Sequence, residues 1–370
     1  MGTRFDPRRI GMSLAAPLLA ILVAVLVTSV ILVVAGDPVG EVWSTILSVP
    51  RPRVVVAIIN ASTVYYISAV AVAIGFRMNL FNIGVDGQYR VAAFAAAVVA
   101  GEGWVPGPLN ILLGLVVAML AGGAWSAIAG VLKVYRGVSE VISTIMLNAI
   151  ATILVAFLLR KVAPSTGSNI VSTKSLPDDS RVPGMALISG VSREVYGLVF
   201  LAFLVGVLYW FVLGRTRFGF DLRATGRSES AAVASGVKVK RMVLTSMILS
   251  GVVAGLVGMP LLFGQDYNYG TTFQPGLGFA GIAIALLGRN HPVGIAFAAV
   301  LWGFLDQQSN ALQITAGVSD RLVLVVQGVI VLSVVIAYEV VRRVNVRVEQ
   351  RTVAQALAAQ SADAKEGAPA

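Results

Sequence analysis

What most constrains this chain is a succession of long apolar runs without charge. Residues 14–35, 54–74, 109–132, 141–159, 195–213 and 242–263 contain no Asp, Glu, Lys or Arg. At about 1.5 Å per helical residue, such runs match the ~30 Å hydrocarbon core of a bilayer. Inside that core only helices and closed barrels satisfy every backbone polar group. Residues 322–341 form a seventh run, interrupted only by Glu339, and 91–100, 277–287 and 293–305 are shorter candidates. The pattern predicts an all-α polytopic membrane protein of about 10 transmembrane helices, or about 8 if the short pair flanking Arg289 is re-entrant.

Composition agrees and excludes several functions. Hydrophobic residues make up 57% of the 370 and charged residues only 12%, against about 25% charged in soluble domains. Cysteine is absent, which removes disulfides, thiol catalysis and Cys-ligated metals. The single histidine, His291, stands beside Pro292 and reads as a loop residue at a helix end. Neither a GxxxxGK[ST] phosphate loop nor a catalytic triad nor a metal cluster can be assembled. The expectation is therefore no catalytic residue, no metal and no cofactor bound by this chain.

The net charge of +10 is explained by loops facing the cytoplasm rather than by nucleic acid. With Met1 inside and the runs alternating, 20 of the 28 Lys and Arg residues fall on the cytoplasmic side. That split predicts an N-in, C-in topology. Residues 1–13 form a cytoplasmic segment, 14–341 the membrane domain, and 342–370 a polar, disordered cytoplasmic tail. The first run is too long for a signal peptide and reads as a retained span. Residues 160–193, rich in Pro, Ser and Thr, form an outer loop, and the basic segment 214–241 lies in the cytoplasm.

Polar residues set among the apolar runs mark where function could lie. Residues 75–88 gather Asn79, Asn82, Asp86, Gln88 and three glycines, a mixture that no lipid-facing helix carries. The stretch is either a loop or broken backbone held inside protein or along a water-filled path, with Asn79, Asn82 and Gln88 as candidate path residues. In 141–159, Thr144, Asn148 and Thr152 recur at i, i+4 and i+8 and share one helix face, with Glu140 a turn earlier. This face is either interhelical hydrogen-bonding glue or a translocation path, and Asn60 and Tyr65 pose the same choice. No span centre carries a charge in this reading. That counts against a proton- or sodium-coupled transporter and suits a neutral, hydroxyl-rich solute.

The basic segment holds a second feature. Residues 226–236 read as a short helix with Ser228 as N-cap, Glu229 in the first turn and Gly236 as the stop. Such a helix serves either as a rigid contact for a soluble partner or as a cationic surface near anionic lipid.

Four stretches then carry a resemblance. Residues 81–88 (FNIGVDGQ) resemble the FNIGVEGQ signature of ABC-importer permeases of the nucleoside and simple-sugar type, within the branched-chain-type permease superfamily, with Asp86 in place of the usual Glu. Residues 140–148 (EVISTIMLN) are similar to the EVISTIMLN run of nucleoside-type permeases. Arg223, Ala224 and Gly226, with Ala231, Ala232 and Gly236, resemble the cytoplasmic loop that docks onto the ATPase. Residues 278–292 resemble the family's GFxxIAVALLGRNHP run.

The resemblance implies an import permease for nucleosides or related sugars in a bacterial cell membrane. It implies as partners a second permease subunit, an ABC ATPase and an extracytoplasmic substrate-binding lipoprotein, with ATP and Mg on the ATPase. Membrane lipid is the remaining contact. A branched-chain amino-acid permease and a stand-alone secondary transporter for sugars or nucleosides are the alternatives.

Overall fold

A computed structural model describes residues 7–164 and 171–366. Among them the chain is helical throughout, apart from two isolated bridges, Ser172 with Gly270 and Met185 with Val195. The helices are α1 (Pro7–Ala35), α2 (Val39–Ile46), α3 (Pro52–Phe76), α4 (Val85–Gly101), α5 (Gly107–Arg136) and α6 (Glu140–Val162). After a long irregular segment come α7 (Val199–Arg215), α8 (Arg217–Arg227), α9 (Glu229–Ala234) and α10 (Val239–Gly255). A short turn, α11 (Met259–Leu261), leads through a π turn at Leu262–Asp266 to α12 (Leu277–Leu287), α13 (Pro292–Ala316) and α14 (Asp320–Glu366).

Five helical stretches among the described residues are long and apolar enough to cross a membrane: α3, α5, α6, Val239–Asp266 and Arg321–Val341. The α7–α8 pair, bent by 72°, passes the same test only when the two helices are taken together. The protein is thus an all-helical, multi-pass membrane protein. At 11 residues α12 spans only about 16 Å, too little to cross a bilayer core alone.

The chain divides into two compact units. One comprises the described parts of Met1–Ile46 and Ala311–Ala370, where α1 packs along α14. In it the Trp43 indole donates to Ser29 Oγ at 2.9 Å and fixes α2 against α1. The tail expected to be disordered from Arg342 onward continues α14 to Glu366. Its Ala, Gln, Glu and Arg residues are strong helix formers, and the propensity outweighs the polarity on which the expectation rested. The N-terminal residues 1–6 of the expected cytoplasmic segment lie outside the described residues, as do 165–170 of the outer loop.

The second unit, Leu47–Asn310, holds the core of the membrane domain. Here α5 packs on α4 and α10, and α3 packs on α10 and α12. The α5–α10 contact is backbone on backbone. A Cβ added at Gly122 would come within 2.4 Å of the Gly251 carbonyl, and one at Gly255 within 2.2 Å of the Ala118 carbonyl. Small residues substitute for a hydrophobic driving force that lipid cannot supply between helices. Ser126 Oγ adds a 2.6 Å bond to the Met247 carbonyl across the same seam.

Candidate functional site

The chain between α3 and α4 is broken backbone held inside protein. Asn82 is fully buried there. Its amide pairs with that of Gln88 in both directions, Asn82 Nδ2 donating at 3.1 Å and Gln88 Nε2 returning at 2.9 Å. Asn82 Nδ2 also donates to Ser250 Oγ at 2.8 Å, and Ser250 Oγ donates to the Ala71 carbonyl at 2.6 Å. The break therefore ties α3, α4 and α10 together through side chains whose hydrogen-bonding capacity is met inside the fold.

The other recurring stretches converge on the same place. Asn148 accepts from the Gly87 amide at 2.8 Å and donates to the Ile83 carbonyl at 2.8 Å. Glu140 is held at 2.6 Å by Lys133. Asp86 begins α4, pairs with Arg90 at 3.0 Å and accepts from the Gly278 amide at 3.3 Å. A Cβ at Gly278 would sit 2.2 Å from the Asp86 amide nitrogen, so only glycine lets α12 start this close to α4. Arg77 donates to the Asn290 carbonyl at 2.7 Å from Nη2, and Tyr209 donates to the same oxygen at 2.7 Å. A Cβ added at Gly226 of α8 would come within 2.8 Å of the Arg77 carbonyl oxygen and the Met78 backbone. Residues scattered over more than 200 positions thus form one brace around the α3–α4 break.

The cavity lies elsewhere. A polar cavity of about 150 Å³ is lined by Asn60 and Tyr65 of α3, Arg193, Gln274, and Asp306 and Gln307 of α13. Tyr65, Gln274 and Asp306 line it side by side, and Gln307 Nε2 donates to Asp306 Oδ2 at 3.2 Å. Asn60 is committed to the neighbouring loop, donating to the Glu194 carbonyl at 2.9 Å and accepting from the Tyr196 amide at 2.9 Å. Tyr196 donates to Gln265 at 2.7 Å. Burial pushes its hydroxyl up to about 12, so it remains a neutral donor at physiological pH.

Of the expected path residues, then, Asn60 and Tyr65 line the cavity, and Asn79, Asn82, Gln88, Thr144, Asn148 and Thr152 do not. Asn79 is exposed in a turn with φ 60°. Thr144 and Thr152 bond back to the carbonyls of Glu140 and Asn148 in their own helix, at 2.6 and 3.0 Å. On the α6 face, Asn148 bonds another segment, whereas these two threonine bonds stay within α6.

Asp306 escaped the sequence reading, which ended its short run at Leu305 and found no charge at any span centre. Helix α13 continues to Ala316 and puts Asp306 near its middle. The polar residues 306–310 hid this continuation from a hydropathy argument. The available signal was the lack of any Gly or Pro stop before Gly317, whose φ is +63°.

The short helix expected in the basic segment forms as α9. Ser228 Oγ accepts from the Ala231 amide at 3.3 Å, and Gly236 ends the turn at φ +81°. Arg223 and Ala224 are half-buried, Ala232 is buried, and Ala231 and Gly236 are exposed. Val233 is 60% exposed beside Val237, Lys238 and Lys240, in a shallow groove along α9.

Comparison with known proteins decides the family. Residues 54–335 match the model of the branched-chain amino acid transport system permease component. The chain belongs to this permease family. It is 36% identical over 334 residues, 88% of this permease and 94% of the relative, to the guanosine ABC transporter permease protein NupP of Bacillus subtilis (strain 168). It is 27% identical to the glucose ABC transporter permease protein TsgB13 of Haloferax volcanii, over 90% of both chains. It is 29% identical to the nucleoside ABC transporter permease protein NupB of Lactococcus lactis subsp. cremoris, over 74% of this permease and 76% of the relative.

Proposed function

We propose that this permease is one of two different membrane-spanning subunits of an ATP-driven importer that moves nucleosides or related simple sugars into a bacterial cell. The observation that carries the reading is the 36% identity to a guanosine permease over 88% of the chain. The partner permease is suggested by the pairing among relatives. The chain is also similar to NupQ of Bacillus subtilis, at 26%, and to NupC of Lactococcus lactis, at 28%.

In this reading the ends of the chain and the α8–α9 segment face the cytoplasm, and the segment around Arg193 faces out. An ABC ATPase, carrying ATP and Mg, docks on α9. An extracytoplasmic lipoprotein delivers the solute. Closure of the ATPase would push on α8, and Gly226 passes that push to the turn at Arg77 and Met78, where the brace begins. The brace moves as a rigid unit because its polar groups are already satisfied. Asp86, Asn82 and Asn148 then transmit motion and do not touch solute.

A second reading has an observation of its own. Asp306 and Arg193 both line the cavity, and an amino-acid zwitterion needs one group of each sign. No ion pair links the two among the described residues, so they do not stand as a preformed clamp. The test is ATP-dependent uptake by proteoliposomes holding both permeases, the ATPase and the lipoprotein. Uptake of labelled nucleoside or sugar without leucine is expected. Leucine uptake alone would replace the first reading with the second.

A further inference from the structure

The cavity beside α3 holds two charged groups, Arg193 and Asp306, and transport of a neutral solute does not by itself require the carboxylate. Asp306 is half-buried beside Tyr65, Gln274 and Gln307, and a carboxylate is costly to hold away from water unless it has donors. An ionised carboxylate only accepts, and its two oxygens offer about four lone-pair sites. Gln307 fills one of them. The remaining capacity belongs to the wall of the cavity, and it asks for two adjacent donors.

The rest of the lining is mixed, with Asn60, Arg193, Tyr196 and Gln265 among its polar groups, and suits a polar ring with one apolar face. Ala57, Ala61, Val64, Leu261 and Leu277 supply a small apolar wall, against which the C–H face of a ring can lie. The volume of about 150 Å³ is half the lower end of the usual range for whole-ligand sites, about 300 Å³. It accommodates a single sugar ring and leaves any attached base outside. A pair of neighbouring hydroxyls on that ring presents two O–H donors side by side, the pattern carboxylates read on the ribose of dinucleotides.

We propose that Asp306, oriented by Gln307 and flanked by Tyr65, is the specificity-determining residue of this permease and binds the vicinal diol of the solute's sugar ring. Solutes lacking the diol lose both donors and leave the carboxylate short of partners. Hydrogen bonds to charged groups make that difference about tenfold or more in occupancy. The inference rests on the nucleoside or sugar reading of function and adds which part of the solute the permease recognises.

The absence of cysteine permits a test independent of the lipoprotein. Ala61→Cys puts one thiol in the cavity wall, and its modification by a methanethiosulfonate reagent is timed in proteoliposomes of the permeases and ATPase. Millimolar ribonucleoside or ribose should slow the modification several-fold, and the 2′,3′-dideoxynucleoside and leucine should not. Adding Asp306→Asn should remove the protection while the subunit still copurifies with the ATPase. Equal protection by the dideoxy compound, protection that survives Asp306→Asn, or protection by leucine alone overturns the assignment. The comparison of solutes needs no Asp306 variant, so misfolding of Asp306→Asn leaves it decisive. No protection by any solute, with nucleoside uptake intact in the full complex, overturns the diol site alone. No uptake of any nucleoside or sugar overturns the transport reading and the site together.

Discussion

The side-chain amide of Asn148 grips the backbone on either side of the start of α4, accepting from Gly87 at 2.8 Å and donating to the Ile83 carbonyl at 2.8 Å. A polar residue in the middle of an apolar span thereby does the work of a helix cap from another helix. Helix α4 begins without a side-chain cap of its own, so Asn148 supplies what the local sequence lacks.

Replacing Asn148 by Leu should therefore damage assembly before it damages transport. It strands a buried N–H and a buried C=O, at about 1–3 kcal/mol for each unsatisfied group. The expected result is a lower melting temperature of the detergent-solubilised complex and a loss of subunit from the membrane fraction. Normal melting with abolished uptake would return Asn148 to the solute path.

Gly251→Val tests the seam between α5 and α10. The new Cβ would overlap the Gly122 carbonyl at 2.5 Å and Ser126 Cβ at 2.3 Å, and neither helix backbone can retreat without losing its other contacts. Overpacking commonly costs about 1–3 kcal/mol, and here it acts on backbone, so the upper end or beyond is expected. Gly40→Val, where no atom lies within 4 Å of an added Cβ, is the control. Equal yields of the two variants in membranes would refute the close approach.

Much of this architecture was legible in the sequence because its causes are local. Charge-free length announces a span, and Ser228 with Gly236 announced α9 from both ends. Residues 75–88 were legible as anomalous but not as to their role, since Asn82 finds Ser250 168 positions away and no spacing rule reaches that far. The polar face of α6 was visible, and its partner, the backbone of Ile83 and Gly87, was not. Asp306 was lost because hydropathy judges a window, whereas a helix ends where the backbone is stopped.

The orientation of the chain is open to direct labelling. Single cysteines at Ser175, in the long segment before α7, and at Ser230, on α9, both occupy exposed positions. Ser230 spares the N-cap at Ser228, whose loss alone would cost about 0.5–2 kcal/mol. In intact cells an impermeant maleimide should label the first and reach the second only after lysis. Labelling of both from one side would remove the N-in, C-in topology and the cytoplasmic role of α9.

The contact with the ATPase is best tested at Val233. Ala232 is buried against its own subunit, so a charge there would disrupt α9 itself and say nothing about a partner. Val233 is 60% exposed, and an exposed aliphatic flanked by Lys238 and Lys240 suits a partner surface with an apolar centre and acidic rim. Val233→Glu leaves the fold of the subunit intact, because the side chain starts in solvent. Within an interface it would bury an unpaired carboxylate, which costs several kcal/mol. The expected outcome is at least a tenfold loss of ATPase copurification, with solute-stimulated hydrolysis falling in parallel. Ser175→Glu, equally exposed in the segment before α7, should change neither. If Val233→Glu binds the ATPase as wild type does, α9 is not the docking helix, and its cationic flank returns to the surface of anionic lipid.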